Sequence, residues 1–137
     1  DNIVNKYGGY NRLHLDGARI FNAAVALNKD VSQLTKGFDS VSVCFSKGLG
    51  CPIGSIILGS QSFIDVARKY RKAFGGQLRQ AGIAGICALI ALDEILPKLA
   101  MDHEHTMYLY NEMLKMNING LHMVKPDTNI LYFNINQ

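Results

Sequence analysis

Charge is scarce in this chain and weakly polarised. Charged residues are 18% of the 137 and the net charge is +3, with a sequence pI near 8.8. That balance argues against a nucleic-acid partner, which calls for a clustered basic face. The one dense basic run, Arg68-Lys69-Tyr70-Arg71-Lys72, reads as the solvated face of a helix. Cysteine is also sparse: Cys44, Cys51 and Cys87 are odd in number and form no Cys-x-x-Cys pair. This excludes a disulfide framework and a zinc site of the usual spacing, and points to a reducing compartment. Cys44 and Cys87 sit in apolar runs and are expected in the core. Cys51 follows a glycine-rich loop, where a small packed residue is favoured over a reactive thiol. Long apolar runs are missing as well. The longest, Ala81 to Leu92, is too short to cross a bilayer and is expected to be a buried helix. No signal peptide, internal repeat or low-complexity tract is visible.

What is present is a globular composition: 48% hydrophobic residues and a mean hydropathy of +0.06, in a length suited to one domain. The first residue is not Met. The chain opens in what reads as a helix end (Ile3-Val4-Asn5-Lys6-Tyr7-Gly8-Gly9) and stops in the apolar strand Ile130-Leu131-Tyr132-Phe133. Both ends look cut, as in a piece of a longer protein.

Alternation across Leu13 to Asp16 puts Leu13 and Leu15 on one side of a strand and His14 and Asp16 on the other. Gly17 allows a tight turn. Ile20, Ala23, Ala24 and Leu27 then repeat at i, i+3, i+4 and i+7, one stripe of a helix. Val41, Val43 and Phe45 share a face of a second strand. Strand, helix and strand within about 30 residues make a βαβ unit with parallel pairing and a right-handed crossover. A further strand over 53–59 follows too closely for a crossover helix, so it is expected to run antiparallel. Ser60 or Ser62 caps a helix over 63–74, ended by Gly75-Gly76. Helices over 78–96 and from Pro97 to about Met116, then strands over 121–124 and 129–135, complete the chain. Ala81, Gly82, Ala84, Gly85 and Ala88 give the first of these helices a small-residue surface that another backbone can approach.

Ser46-Lys47-Gly48-Leu49-Gly50 follows the second strand directly. A lysine that reacts with a flat cofactor needs backbone to give way around it, and glycine supplies that freedom. In an open parallel sheet ligands bind beyond the carboxyl ends of the strands, and Asp16 and Lys47 both stand there, on consecutive strands. An amine and a carboxylate so placed suit pyridoxal phosphate, with lysine on the aldehyde and aspartate on the pyridinium nitrogen. Arg19, three residues past Asp16, can offer a bidentate fork to a carboxylate. The plain alternatives stand beside these readings: Asp before Gly is commonly a turn residue, and Lys before Gly a surface one. His103 and His105, two apart on a helix, diverge by about 200° and cannot share a metal. A surface helix is expected there and no metal site.

His14-Leu15-Asp16-Gly17-Ala18-Arg19-Ile20-Phe21-Asn22-Ala23 and Ser42-Val43-Cys44-Phe45-Ser46-Lys47-Gly48-Leu49-Gly50 resemble the threonine aldolases. These are pyridoxal-phosphate enzymes of the aspartate-aminotransferase-like fold, fold type I. Gly54-Ser55, Arg71-Lys72 with Gly75-Gly76, Arg79-Gln80-Ala81-Gly82 and Thr128-Asn129-Ile130 extend the resemblance from about Leu13 to Phe133. Gln77, where the family usually has a third glycine, and Cys51, where alanine is common, depart from it.

The resemblance implies an α/β fold with a mostly parallel sheet flanked by helices. Residues 1–97 would be the central part of the cofactor-binding large domain, and 98–137 a linking helix and the first strands of a small C-terminal α+β domain. It implies pyridoxal 5'-phosphate as cofactor, Lys47 as the Schiff-base lysine, Asp16 as the pyridinium partner and Arg19 as a contact to the substrate carboxylate. Lys72 and Arg79 match basic positions near the active site, and His14 either orients Asp16 or is a packed strand histidine. The family's phosphate loop, ring-stacking histidine and second carboxylate-binding arginine are expected outside these residues. The implied activity is cleavage of L-threonine or L-allo-threonine to glycine and acetaldehyde, in a cytoplasmic homo-oligomer, dimer or tetramer, with no nucleic-acid or membrane partner. The alternatives are another fold type I enzyme, a β-eliminating lyase or aminotransferase, and a truncated non-catalytic paralogue that associates through Ala81 to Ala88.

Overall fold

The computed structural model describes residues 12–136, so the helix end read at 3–9 lies outside the described residues. Strand β1 (His14–Asp16) leads into helix α1 (Ile20–Leu27), the short helix α2 (Val31–Leu34) and strand β2 (Ser40–Cys44). Strand β3 (Ser55–Gly59) and helices α3 (Gln61–Ala73) and α4 (Ala81–Glu94) follow. A 3-10 turn at Leu96–Lys98 joins α4 to α5 (Leu99–Lys115), and the hairpin β4 (Leu121–Val124) and β5 (Tyr132–Ile135) closes the described residues.

β1 and β2 pair in parallel, with Asp16 opposite Ser42, and β2 and β3 pair antiparallel. The three strands lie in the order β1-β2-β3. The sheet is therefore mixed, where a mostly parallel one was expected, because the segment 45–54 holds no helix and can only return the chain alongside β2. β4 and β5 form a separate antiparallel pair.

Local chemistry accounts for the helix limits. Asn28, in the left-handed region at φ 49°, ends α1 with its N–H directed to Ala24 and Val25 carbonyls. Asp30 caps α2: its carboxylate accepts from the Ser32 N–H while the Asp30 N–H donates to Gln33 Oε1. Ser60 Oγ caps α3 by accepting from the Phe63 N–H. Gly75 at φ 75° terminates α3, with the Gly76 N–H returning to the Arg71 carbonyl.

Two apolar clusters form the core. Ile20, Val41 and Val43 bind α1 to the sheet, with Leu15 packed against them. Phe45, Leu49, Cys51, Ala91 and Leu99 bind the segment after β2 to α4 and α5. Cys51 is buried as expected, while Cys44 and Cys87 are half-buried. Asp39 ties the entry of β1 to that of β2, accepting from the Leu13 N–H and from Arg12 Nη1. The Leu13 N–H, seconded by the Arg12 guanidinium, holds the Asp39 carboxyl below its usual range.

Gly17 is where the fold admits no side chain. A Cβ there would stand 2.8 Å from the Ser42 carbonyl oxygen and 3.1 Å from Val41 Cγ1. Its N–H donates to that same carbonyl at 2.8 Å, fixing the turn against the end of β2. Backbone cannot step aside as a flexible side chain can. Gly17→Ala is expected to destabilise by about 1–3 kcal/mol, read as a lower denaturation midpoint at unchanged slope.

Helix α4 departs from expectation. It was to be buried, yet Ile83, Ile86, Leu89 and Ile90 are all exposed, Ile83 at 72%, and only Ala91 is buried. Nothing lies within 4 Å of where a Cβ would stand on Gly82 or Gly85. The chain exposes 10444 Å², against about 7,000 Å² for a compact monomer of this mass. Apolar runs of this kind exist to be covered, and within this chain the cover for α4 is not supplied. No helix among the described residues is long and apolar enough to cross a membrane.

Candidate active site

The parallel pairing of β1 and β2 brings the functional candidates to one sheet edge. Leu15 and Val41 are register partners and share the core-facing side, so His14 and Asp16 lie on the opposite side, with Ser40 and Ser42. Beyond Cys44 the chain leaves the sheet at its carboxyl edge. Lys47 follows three residues later and is exposed. The turn that carries it is closed by the Gly50 N–H to the Lys47 carbonyl at 2.9 Å and the Cys51 N–H to the Phe45 carbonyl at 3.0 Å. Leu49, 2% exposed, is driven into the core and holds the turn down.

Asp16 is exposed, and its Oδ1 accepts from the Ala18 N–H at 3.1 Å. That local bond aims the carboxylate. His14 does not: its Nδ1 pairs with Ser40 Oγ at 2.8 Å, across the strand to its register partner. Neighbours on the same side of a strand are about 7 Å apart, too far for a direct bond, so the orienting role read for His14 falls to the Ala18 amide. Arg19 occupies the position just before α1, exposed and without a capping bond. Lys72 lies in the last turn of α3 and Arg79 in the segment between α3 and α4, both exposed. Among the described residues none of Lys47, Asp16, Arg19, Lys72 and Arg79 makes an ion pair.

Two features escaped the sequence reading. Asn129, in the Thr128-Asn129-Ile130 motif, has a buried Oδ1 with no hydrogen-bond partner among the described residues. His103, expected on a plain surface helix, is half-buried and bonds Asn22 across to α1 at 3.1 Å; His105 is exposed as expected. The cue for His103 was its place one turn after Leu99 on a stripe that faces α1. Among the described residues no group of three His, Cys, Asp or Glu side chains is placed to hold a metal ion.

A mixed α/β unit that offers an unpaired amine and an unpaired carboxylate from adjacent parallel strand ends defines a cofactor-dependent enzyme domain of the lysine-bearing kind. The comparisons with known proteins say which one. The family model described as Beta-eliminating lyase matches residues 2–136, and the chain belongs to that family of pyridoxal-phosphate-dependent enzymes. It is 46% identical over 124 residues to low-specificity L-threonine aldolase 1 of Arabidopsis thaliana, covering 90% of this chain and 35% of that protein. It is 36% identical over 125 residues to the low specificity L-threonine aldolase of Escherichia coli K12, covering 91% of this chain and 37% of that one. A solved structure from Listeria monocytogenes, provisionally assigned as an L-allo-threonine aldolase, superposes with a TM-score of 0.84 at 26% identity over 96% of this chain and 36% of its own. The chain thus spans about a third of the length of the curated relatives it matches.

The residues present fit part of a pyridoxal phosphate site. Lys47 offers an amine with no competing carboxylate, and Asp16 keeps one oxygen free after its bond to Ala18. Gly50, at φ 68° with nothing within 4 Å of its would-be Cβ, leaves the space beside Lys47 open to a flat ring. The hollow of about 210 Å³ behind the loop, lined by Leu49, Cys51, Cys87 and Ala91, is apolar. It belongs to the uncovered core beneath α4 and has no charged group with which to hold a phosphate.

Proposed function

We infer that this chain is the lysine-bearing part of an aldehyde lyase that cleaves L-threonine or L-allo-threonine to glycine and acetaldehyde. The observation that carries the reading is the placement of Lys47 and Asp16 beyond the carboxyl ends of β1 and β2, on the paired register of Asp16 with Ser42. Pyridoxal phosphate, when bound, supplies an electron sink for the charge left on Cα as the Cα–Cβ bond breaks. Lys47 supplies the amine that holds the cofactor and that gives way to the incoming amino acid. Its nucleophilic form is the neutral one, favoured when the cofactor and substrate displace water from around it. Asp16 remains ionised, steered by the Ala18 N–H, and keeps a proton on the ring nitrogen through its free oxygen. Arg19, at the start of α1 with its guanidinium unpaired, is positioned on the same sheet edge to take the substrate carboxylate. Lys72 and Arg79 are assigned to the surrounding basic rim. Under this reading the whole protein is a cytoplasmic homo-oligomer, and the uncovered apolar face of α4 is what supports the assembly part of it.

β-Elimination, the reaction in the family's description, is the competing chemistry. The identities of 46% and 36% to proteins named as threonine aldolases favour carbon–carbon cleavage. The complete protein, loaded with pyridoxal phosphate, is expected to release glycine and acetaldehyde from L-threonine faster than it releases ammonia from L-serine. Faster elimination from serine would replace the aldolase reading with the β-eliminating one.

A further inference from the structure

The loop that presents Lys47 rests on a floor made by two helices. A Cβ on Gly48 would stand 2.7 Å from Asn22 Oδ1 of α1 and 3.5 Å from Leu99 Cδ2 of α5. Leu99 is 1% exposed and Asn22 2%, an amide set in an apolar layer between the buried Ile20 and Ala24. A buried amide is costly unless it is bonded. Asn22 meets that condition through His103, whose Nε2 lies 3.1 Å from Asn22 Nδ2. Leu99 and His103 are four residues apart on α5, one turn on the same face, so a single stripe of that helix supplies both supports. The amide N–H donates, so Nε2 accepts, and His103 is neutral with its proton on Nδ1. The same bond settles which end of the Asn22 amide meets Gly48: the oxygen.

We propose that Asn22 and His103 are a positioning pair for Lys47. The hydrogen bond clamps the amide plane, and the amide oxygen with Leu99 forms the floor on which the Gly48 Cα lies. That floor, together with buried Leu49 on the far side of Gly48, sets the direction in which the Lys47 side chain leaves the sheet edge. Neither residue touches the reacting atoms. Glycine at 48 is then a requirement of contact, since any side chain would meet the Asn22 oxygen, and the glycine after Lys47 and the asparagine in α1 are two halves of one device. The proposal rests on Lys47 being the amine that takes the cofactor.

The test uses the complete protein, mixed with pyridoxal phosphate and quenched with borohydride at timed intervals, the adduct being located and counted by peptide mass. His103→Gln places an amide oxygen near the position of Nε2 and retains the acceptor; His103→Leu keeps similar bulk without it. Adduct formation at Lys47 is expected near the wild-type rate for His103→Gln and about tenfold slower or more for His103→Leu, at melting temperatures within a few degrees. Equal rates for the two would overturn the proposal. Asn22→Asp and Asn22→Ala give the same comparison from the other side, should His103→Leu fail to fold: the first keeps a bond to His103 and is expected to stay close to wild type, the second to slow. Equal rates for that pair count against the proposal in the same way. A wild-type protein with no adduct on Lys47 defeats the cofactor reading itself, and this one with it. A wild-type adduct with no difference between variants removes only the positioning pair.

Discussion

Lys47→Ala is expected to remove the borohydride-trapped cofactor adduct and to lower turnover by about a millionfold, the scale on which loss of a covalent nucleophile is felt. The fold should be indifferent to the change. Lys47 is exposed and makes no ion pair among the described residues, and surface substitutions of that kind usually alter stability by less than about 0.5 kcal/mol. The turn around it is held by main-chain bonds, Gly50 to Lys47 and Cys51 to Phe45, which alanine keeps. Peptide mapping of the trapped wild-type and variant proteins, alongside their melting curves, separates the two effects. An adduct of undiminished yield in Lys47→Ala would move the cofactor to another lysine.

Asp16→Asn is the second large effect, and it acts on charge alone. The amide oxygen can still accept from Ala18, so the turn at Gly17 survives. What is lost is the negative charge beside the ring nitrogen, worth about 4 kcal/mol at ~4 Å and an effective dielectric near 20. That converts to a turnover about a thousandfold lower. Because Asp16 does not hold the aldehyde, the adduct should still form on Lys47. Steady-state rates set beside adduct yields check both halves, and a variant within tenfold of wild type would sink the assignment.

The strand and helix pattern was legible wherever one residue stripe had one neighbour. Val41, Val43 and Phe45 alternate because α1 and the second cluster lie on their side of β2, and Ile20 and Ala24 face the same core. The direction of β3 was legible from the shortness of segment 45–54. The lysine and the carboxylate were legible because a strand end followed by glycine is visible in one dimension. What could not be read were relations between residues far apart in the chain. The Asn22–His103 bond joins positions 81 apart, and neither residue has a local signal for it: asparagine inside a helix and histidine in a mixed stripe are both unremarkable. Asp30 and Gln33, a capping box for one turn of helix, were hidden by the lack of an apolar stripe over 31–34. The burial of α4 failed for a different reason. Its composition reports the whole protein's packing, and these residues supply only part of that packing.

The pairing of Asp16 with Ser42 also decides where the gene can change length. Between Leu27 and Ser40 the chain runs through a left-handed asparagine, one turn of helix and exposed residues 36–39, and insertions there lengthen a connection without moving either strand end. Between Ser42 and Lys47 the tolerance is nil. One residue deleted there would shift β2 by a single step, exchange its two faces, and pull the lysine toward the sheet and away from the aspartate. Viable insertions and deletions in this part of the protein should therefore collect in 28–39 and be absent from 42–47.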